Sequence, residues 1–314
     1  MNGVINIYKE KGYTSHDVVA KLRGILKMKR IGHTGTLDPE AEGILPVCIG
    51  SATKLCDMLT DKIKTYRAVI RFGIATDTED MTGQIVERLP VTVGELELQA
   101  ILQQFVGSYE QIPPMYSAIK VEGKKLYELA REGKIIERKG RPVTIHSIEL
   151  HSVCLDEQQH LLESEITVTC GKGTYIRSLC RDIGEALGTC ACMKSLIRIK
   201  SGNFELNHSI KLSDVEYYVS TGEINSYILP VEQVFQTCAM FIMKTEWNKL
   251  LHNGNPVPFE ACEIFHLEVN SEFSTNWFRA YDSNHQFLGI YEKEGNKFIP
   301  VKMFLPTEEN KKKN

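Results

Sequence analysis

Stretches that alternate apolar and polar residues are interleaved along this chain with stretches of helical spacing, and they follow no regular strand–helix–strand rhythm. Residues 3–8 alternate, and so do 66–73. The latter put Tyr66, Ala68, Ile70 and Phe72 on one side and Arg67, Val69 and Arg71 on the other, as in a half-buried strand. Between them, Thr14-Ser15-His16-Asp17 has the form of a capping box, and Val18, Leu22, Ile25 and Leu26 follow at helical spacing. Thr92 and Glu95 form a similar signal ahead of Leu98, Ile101, Leu102 and Phe105. Residues 143–153 and 163–170 read as two more strands. Gly171-Lys172-Gly173 then turns into a helix with Ile176, Leu179, Cys180, Ile183 and Leu187 inward, ended by Gly188. This order predicts an α+β fold with a mixed, mainly antiparallel sheet flanked by helices.

Near residue 236 the character changes. Residues 264–269, 277–282, 286–292 and 297–301 read as short strands separated by turn signals such as Asp282-Ser283-Asn284 and Glu294-Gly295-Asn296. The expected organisation is a large domain over 1–235, a small β-rich module over 236–306, and a disordered, solvated tail over 307–314.

With 42% hydrophobic and 25% charged residues, the composition is that of an ordinary folded protein. No apolar run approaches the roughly 20 residues that span a bilayer, and the first residues lack the features of a signal peptide. A cytoplasmic protein with no membrane partner is expected. Nine cysteines read as reduced thiols. Cys190-Ala191-Cys192 lacks the spacing of a zinc motif, so no metal is expected. The net charge of −3 argues against a nucleic-acid partner, but its distribution does not. Lys21, Arg23, Lys27, Lys29 and Arg30 cluster without an acid, and residues 120–141 carry eight lysines or arginines against four glutamates. Such runs suit either a solvated face or a phosphate backbone.

The stretch Gly32-His33-Thr34-Gly35-Thr36-Leu37-Asp38-Pro39 carries the most chemistry. Its glycines allow close backbone approach, and Pro39 biases Asp38 toward an extended backbone, from which a carboxylate can face a cleft. The same pattern suits an N-cap aspartate opening a short helix at 39–42. Lys172-Gly173-Thr174-Tyr175-Ile176-Arg177 suits an anion-cradling turn at a helix start. Arg177 and Arg181 share a helical face, as an anion site or as a surface pair answering Asp182 and Glu185. Tyr66 reads locally as a core aromatic. Lys120, Lys124 and Lys125 with Tyr127 suit stacked bases beside phosphates or a solvated helix face. The chain shows no P-loop, no dinucleotide fingerprint and no Ser/His/Asp order of known form.

In order, Gly12-Tyr13-Thr14-Ser15, the 32–39 stretch, Lys64-Thr65-Tyr66-Arg67 and the 172–177 stretch resemble the TruB family of pseudouridine synthases. Gly43-Ile44-Leu45-Pro46, Thr76-Asp77-Thr78 with Asp80, and 113–127 also match, so the likeness spans about residues 2–205. It implies isomerisation of uridine 55 in the T-loop of tRNA, with no cofactor. The family's nucleophile falls on Asp38, its active-site tyrosine on Tyr66 and the partner arginine on Arg177. Substrate-binding residues of the family match His33, Tyr66, Tyr175 and Leu196, with Asp80 linked to the site. Lys9 matches a family lysine, although Glu10 stands where proline is usual. The C-terminal module resembles a PUA-like RNA-binding β-barrel that would contact the acceptor stem. The resemblance further implies a monomer that flips its target base, with His33 as the insert, and needs no obligatory protein partner. An RNA-guided relative of the dyskerin type and a non-catalytic tRNA-folding chaperone are the alternatives.

Overall fold

The computed structural model describes residues 1–121, 123–265 and 276–305. Its centre is a ten-stranded sheet. The main path runs Ile228–Leu229, Gly3–Lys9, Glu42–Ile49, Ala191–Ser201, Lys64–Phe72, Leu161–Cys170, Arg141–Leu155 and Gly107–Gln111. Neighbours along this path pair antiparallel except Glu42–Ile49 against Ala191–Ser201, where Arg198 lies opposite Gly43 in parallel register. The mixed, mainly antiparallel sheet is as expected. At the parallel junction the backbones come very close. Gly43 has φ +103°, and a Cβ there would lie 2.3 Å from the Arg198 carbonyl oxygen, so this position requires glycine.

Alternation decides which side chains enter the core. Lys64, Tyr66, Ala68, Ile70 and Phe72 are the buried set of Lys64–Phe72. Helices Glu95–Gln104 and Ile176–Ala186 close one cluster over them through Leu98, Leu102, Leu179 and Ile183. Helices Ser15–Ile25 and Leu212–Thr221 close another, packing Val18, Leu22 and Val215 on Ile5, Ile7 and Leu45. Ser15–Ile25 begins as expected: the Asp17 N–H donates to Thr14 Oγ1 at 3.0 Å, and the Thr14 N–H to Asp17 Oδ2 at 2.9 Å. The second capping box lies two residues later than Thr92 and Glu95 suggest. The Gly94 N–H donates to Glu97 at 3.1 Å, while the Val93 carbonyl accepts from Leu161 at 3.0 Å and ties 93 to the strand.

A six-stranded sheet, curled into a half-barrel, forms the C-terminal part. Its order is Val257–Pro258, Lys297–Met303, Phe287–Glu294, Trp277–Tyr281, Ala239–Met243 and Cys262–Phe265. Ala239–Met243 is a strand that alternation did not disclose; it pairs parallel with Trp277–Tyr281. The strand expected at 264–269 runs from Cys262 to Phe265, and 266–269 lie outside the described residues, as does the tail expected at 307–314. Phe235, Ile290 and Phe304 share a core cluster with Val4, Ile44 and Cys48, so the smaller sheet is seated on the larger one. Lys120–Val121 and Lys124–Lys125 form a two-stranded hairpin rather than a helix face. Among the described residues no helix is long and apolar enough to cross a membrane.

Candidate active site

Residues 34–41 connect Ile31–His33 to Glu42–Ile49, two strands that pair with each other. The connection is pinned on both sides of Asp38. Thr34 donates from its N–H and its hydroxyl to the Pro46 carbonyl, at 3.1 and 3.2 Å. The Leu37 N–H donates to Ser15 Oγ at 2.9 Å, and the Leu37 side chain is buried. Burying a leucine is worth about 1.5–3 kcal/mol, so the residue before Asp38 is a firm anchor. After Asp38, the Pro39 carbonyl accepts from the Gly12 N–H at 2.9 Å and from Lys9 Nζ at 3.0 Å. The Ala41 N–H donates to the Asp38 carbonyl at 3.1 Å, closing a turn that leads directly into a strand. No helix forms at 39–42, so Asp38 is not a helix cap. Its carboxylate is left 39% exposed and aimed at a guanidinium.

That guanidinium belongs to Arg177, in the first turn of Ile176–Ala186. Its Nε lies 2.9 Å from Asp38 Oδ2, and its side chain is 5% exposed. Nη1 donates to the Thr78 carbonyl at 3.0 Å and Nη2 to the Tyr116 carbonyl at 2.9 Å. A guanidinium is a rigid planar fork of donors. With both amino groups tied to two separate loops, the direction of Nε is set, and with it the aim of Asp38.

Asp80 acts at one remove. Its Oδ1 accepts from the Thr78 hydroxyl at 2.7 Å, the Thr82 N–H at 2.9 Å and the Thr82 hydroxyl at 2.5 Å, which shapes the turn presenting the Thr78 carbonyl. Glu79, beside it, holds φ +61°. Such a conformation costs roughly 1 kcal/mol or more in a non-glycine residue. It is held by the Met193 N–H on the Glu79 carbonyl at 3.0 Å, by Ser178 Oγ on the carboxylate at 2.6 Å, and by an ion pair with Arg181. The two arginines that share a helical face therefore part: Arg177 meets Asp38, while Arg181 meets Glu79, Asp182 and Glu185. Lys172 pairs with Asp61 at the surface.

Tyr66 is 8% exposed and stands directly opposite Arg198 in the antiparallel ladder. Arg198, 1% exposed, donates from Nε to the Ile44 carbonyl at 2.8 Å and from Nη2 to the Gly35 carbonyl at 3.4 Å, and it reaches the Tyr66 hydroxyl. Burial pushes the Tyr66 phenol up, and Arg198 opposes that shift. His33 Nδ1 accepts from the Gly35 N–H at 3.3 Å; burial and the Arg198 charge push this imidazole below its usual value, toward the neutral form. Tyr175 precedes the helix and lies near Asp38 and Arg177. Gln111 holds its backbone, accepting from the Tyr175 N–H at 2.8 Å and donating to the Tyr175 carbonyl at 3.1 Å. Leu196 shares a core cluster with Leu37 and Tyr66.

Lys9, expected to bind substrate, is fully buried, and its Nζ donates to the Glu10, Tyr13 and Pro39 carbonyls at 3.3, 2.7 and 3.0 Å. All three N–H donors are engaged, so its place is beneath the aspartate's loop, where it fastens the main chain. The turn at Gly12, φ +88°, forms with Glu10 in the position where proline was expected. Arg198, Glu79 and Gln111 had not been singled out from the sequence. Arg198 carries a signal after all: it follows Leu196 by two residues, on the buried parity of its strand.

Two family models match in succession: that of the TruB family pseudouridylate synthase N-terminal domain over residues 23–176, and that of the tRNA pseudouridylate synthase B C-terminal domain over 177–236. A protein from Lachnoclostridium phytofermentans named tRNA pseudouridine synthase B is 53% identical over 310 residues, covering 97% of this chain and 100% of that protein. Its namesake from Bacillus pumilus is 46% identical over 260 residues, 82% of this chain and 84% of that protein. Among solved structures, a chain of a Cbf5-Nop10-Gar1 complex superposes with a TM-score of 0.71 at 26% identity, over 98% of this chain and 86% of that one.

Proposed function

The chain belongs to the TruB family of pseudouridylate synthases, and we propose that it acts on uridine 55 in the T-loop of tRNA with Asp38 as nucleophile. It is a tRNA pseudouridine synthase, an isomerase. The reaction breaks the N1–C1′ bond, turns the uracil and joins C5 to C1′. C5 then gives up its proton, the C5–H electron pair forms the C5–C6 double bond, and N1 takes up a proton. Nothing is oxidised and no water is added, so acid–base and nucleophilic groups suffice.

The observation that carries the role of Asp38 is its 2.9 Å contact with Arg177, whose other donors are tied to the Thr78 and Tyr116 carbonyls. The guanidinium keeps the carboxylate pointed at one place, which is what a nucleophile acting on a docked base requires. The target base leaves its stack first, at a cost of a few kcal/mol. Phosphate contacts along 20–35 and 120–141 offset that cost, and His33, uncharged, takes the vacated place. Tyr66 stacks on the flipped uracil; its phenol gives up its proton to solvent, from which N1 takes one, and the phenolate oxygen so formed receives the C5 proton. Tyr175 and Leu196 line the base, while Asp80 and Lys9 hold the loops. In this reading residues 1–235 are the catalytic domain. Residues 236–306 are a PUA-like module on the acceptor stem, and the enzyme works as a monomer on bare tRNA. The 53% identity to a tRNA enzyme favours this over RNA-guided action.

The test is Asp38→Asn. The variant is expected to bind tRNA transcript as the parent does and to release no tritium from C5-labelled uridine. Normal tritium release would overturn the assignment. Activity that appears only with a guide RNA added would favour the dyskerin-type reading.

A further inference from the structure

Among the described residues Arg198 is the largest fully buried side chain. Among the described residues no carboxylate lies within ion-pair distance of its guanidinium. A buried cation without an acid is costly, and two main-chain carbonyls offset only part of that cost. The ladder places Arg198 directly across from Tyr66, on the same buried face. Directly opposed residues have Cβ atoms about 4.5–5.5 Å apart, so the guanidinium and the phenol are held together by the sheet and not by loop geometry. Gly35 lies alongside: a Cβ there would be in ordinary van der Waals contact, 3.7 Å, with Arg198 Nη1.

We propose that Arg198 is a positioning residue for Tyr66, donating to the phenol oxygen from its buried side and standing as the counter-charge when that oxygen is negative. A guanidinium can only donate. At this contact the phenol oxygen is therefore an acceptor, and its own proton, when present, points away from Arg198. The oxygen that is to take the C5 proton is fixed in place, and the charge it carries beforehand is answered by a group that no carboxylate neutralises. This rests on the reading of Tyr66 as the proton acceptor.

The experiment is a double-mutant cycle on the full chain with Arg198→Lys and Tyr66→Phe, following tritium release, tRNA affinity and thermal unfolding. Arg198→Lys keeps the charge but not the fork. It is expected to lower kcat about 10- to 100-fold, the worth of one hydrogen bond to a charged group, with tRNA KM little changed. In the Tyr66→Phe background the same substitution should have no further effect on kcat. Equal losses in both backgrounds would overturn the proposal and leave Arg198 as a support for the Ile44 and Gly35 carbonyls. Full turnover by Tyr66→Phe alone would instead sink the reading of Tyr66, and this proposal with it. A second measurement does not depend on any Arg198 variant folding. In ¹⁵N-arginine spectra the Arg198 side-chain signals are expected to move on Tyr66→Phe, and signals that stay in place would show that the contact does not exist.

Discussion

Arg177 and Arg198 sit in two different regions, one in the first turn of a helix and one in the middle of a strand, and both are almost fully buried. Each holds main-chain carbonyls from distant segments: Thr78 and Tyr116 for Arg177, Ile44 and Gly35 for Arg198. Only Arg177 also meets a carboxylate, and that carboxylate is the half-exposed Asp38. The difference separates two uses of a buried guanidinium. Around Arg177 the carbonyls fix the fork so that its remaining donor holds the Asp38 carboxylate in one direction. Around Arg198 the remaining reach goes to a neutral phenol, and in the proposed reaction its charge answers one that forms on that oxygen.

The largest expected effect breaks the comparison on the Arg177 side. Asp38→Asn should lower turnover by about 10⁴-fold or more, as loss of a nucleophile does, with unfolding temperature barely changed because Arg177 keeps both carbonyls. Next, Arg177→Met should lower kcat about 10²- to 10³-fold through misaimed Asp38. It should also cost about 2–4 kcal/mol by urea unfolding, since the Thr78 and Tyr116 carbonyls lose their donors. Arg198→Met should cost a similar amount of stability and a smaller factor in kcat. Equal kcat losses for these two methionine variants would erase the distinction drawn here. Asp80→Ala is one step further from the chemistry. Without the three hydrogen bonds to Asp80, the Thr78 carbonyl is held less firmly, and a roughly tenfold loss in kcat with unchanged tRNA affinity is expected.

The smallest effect contrasts these arginines with the lysines nearby. Burial lowers the ammonium groups of Lys9 and Lys64 from 10.5 to about 8. Between about 8 and 10.5 the unfolded chain binds more protons than the folded one, so their contribution to stability rises with pH across that window; below 8 the burial penalty is present in full. A urea midpoint measured from pH 7 to 10 should therefore lose part of its alkaline gain in Lys64→Met. A parent and variant with parallel profiles would show that this amine is not the titrating group.

Much of this arrangement was legible in local pattern. The alternation at Tyr66 through Phe72, the Thr14–Asp17 capping box and the turn at Gly188 act within a few residues, and all appear in the structure. Asp38 was legible only as an ambiguity, because Asp-Pro suits a helix cap as well as an exposed loop. The Ser15, Pro46 and Lys9 contacts removed it by closing the loop as a turn. Ala239–Met243 escaped notice because a strand inside a small curled sheet needs little alternation of its own when its parallel partner is Trp277–Tyr281. The burial of Lys9 was not legible, since burial of a lysine depends on carbonyls that converge only after folding.

By itself the sequence determined the α+β class, several of the helices and strands, the loop that carries Asp38, and through its ordered motifs the family. Periodicity, capping and glycine–proline chemistry are short-range and survive without a partner segment. Only the tertiary structure decided which charges meet. Arg177 binds carbonyls 99 and 61 residues away, and Arg198 one 154 residues away. Burial then turned the same residue type into an aimed partner in one place and an unanswered charge in the other, because a guanidinium removed from water takes its role from whichever acceptors the fold brings to it.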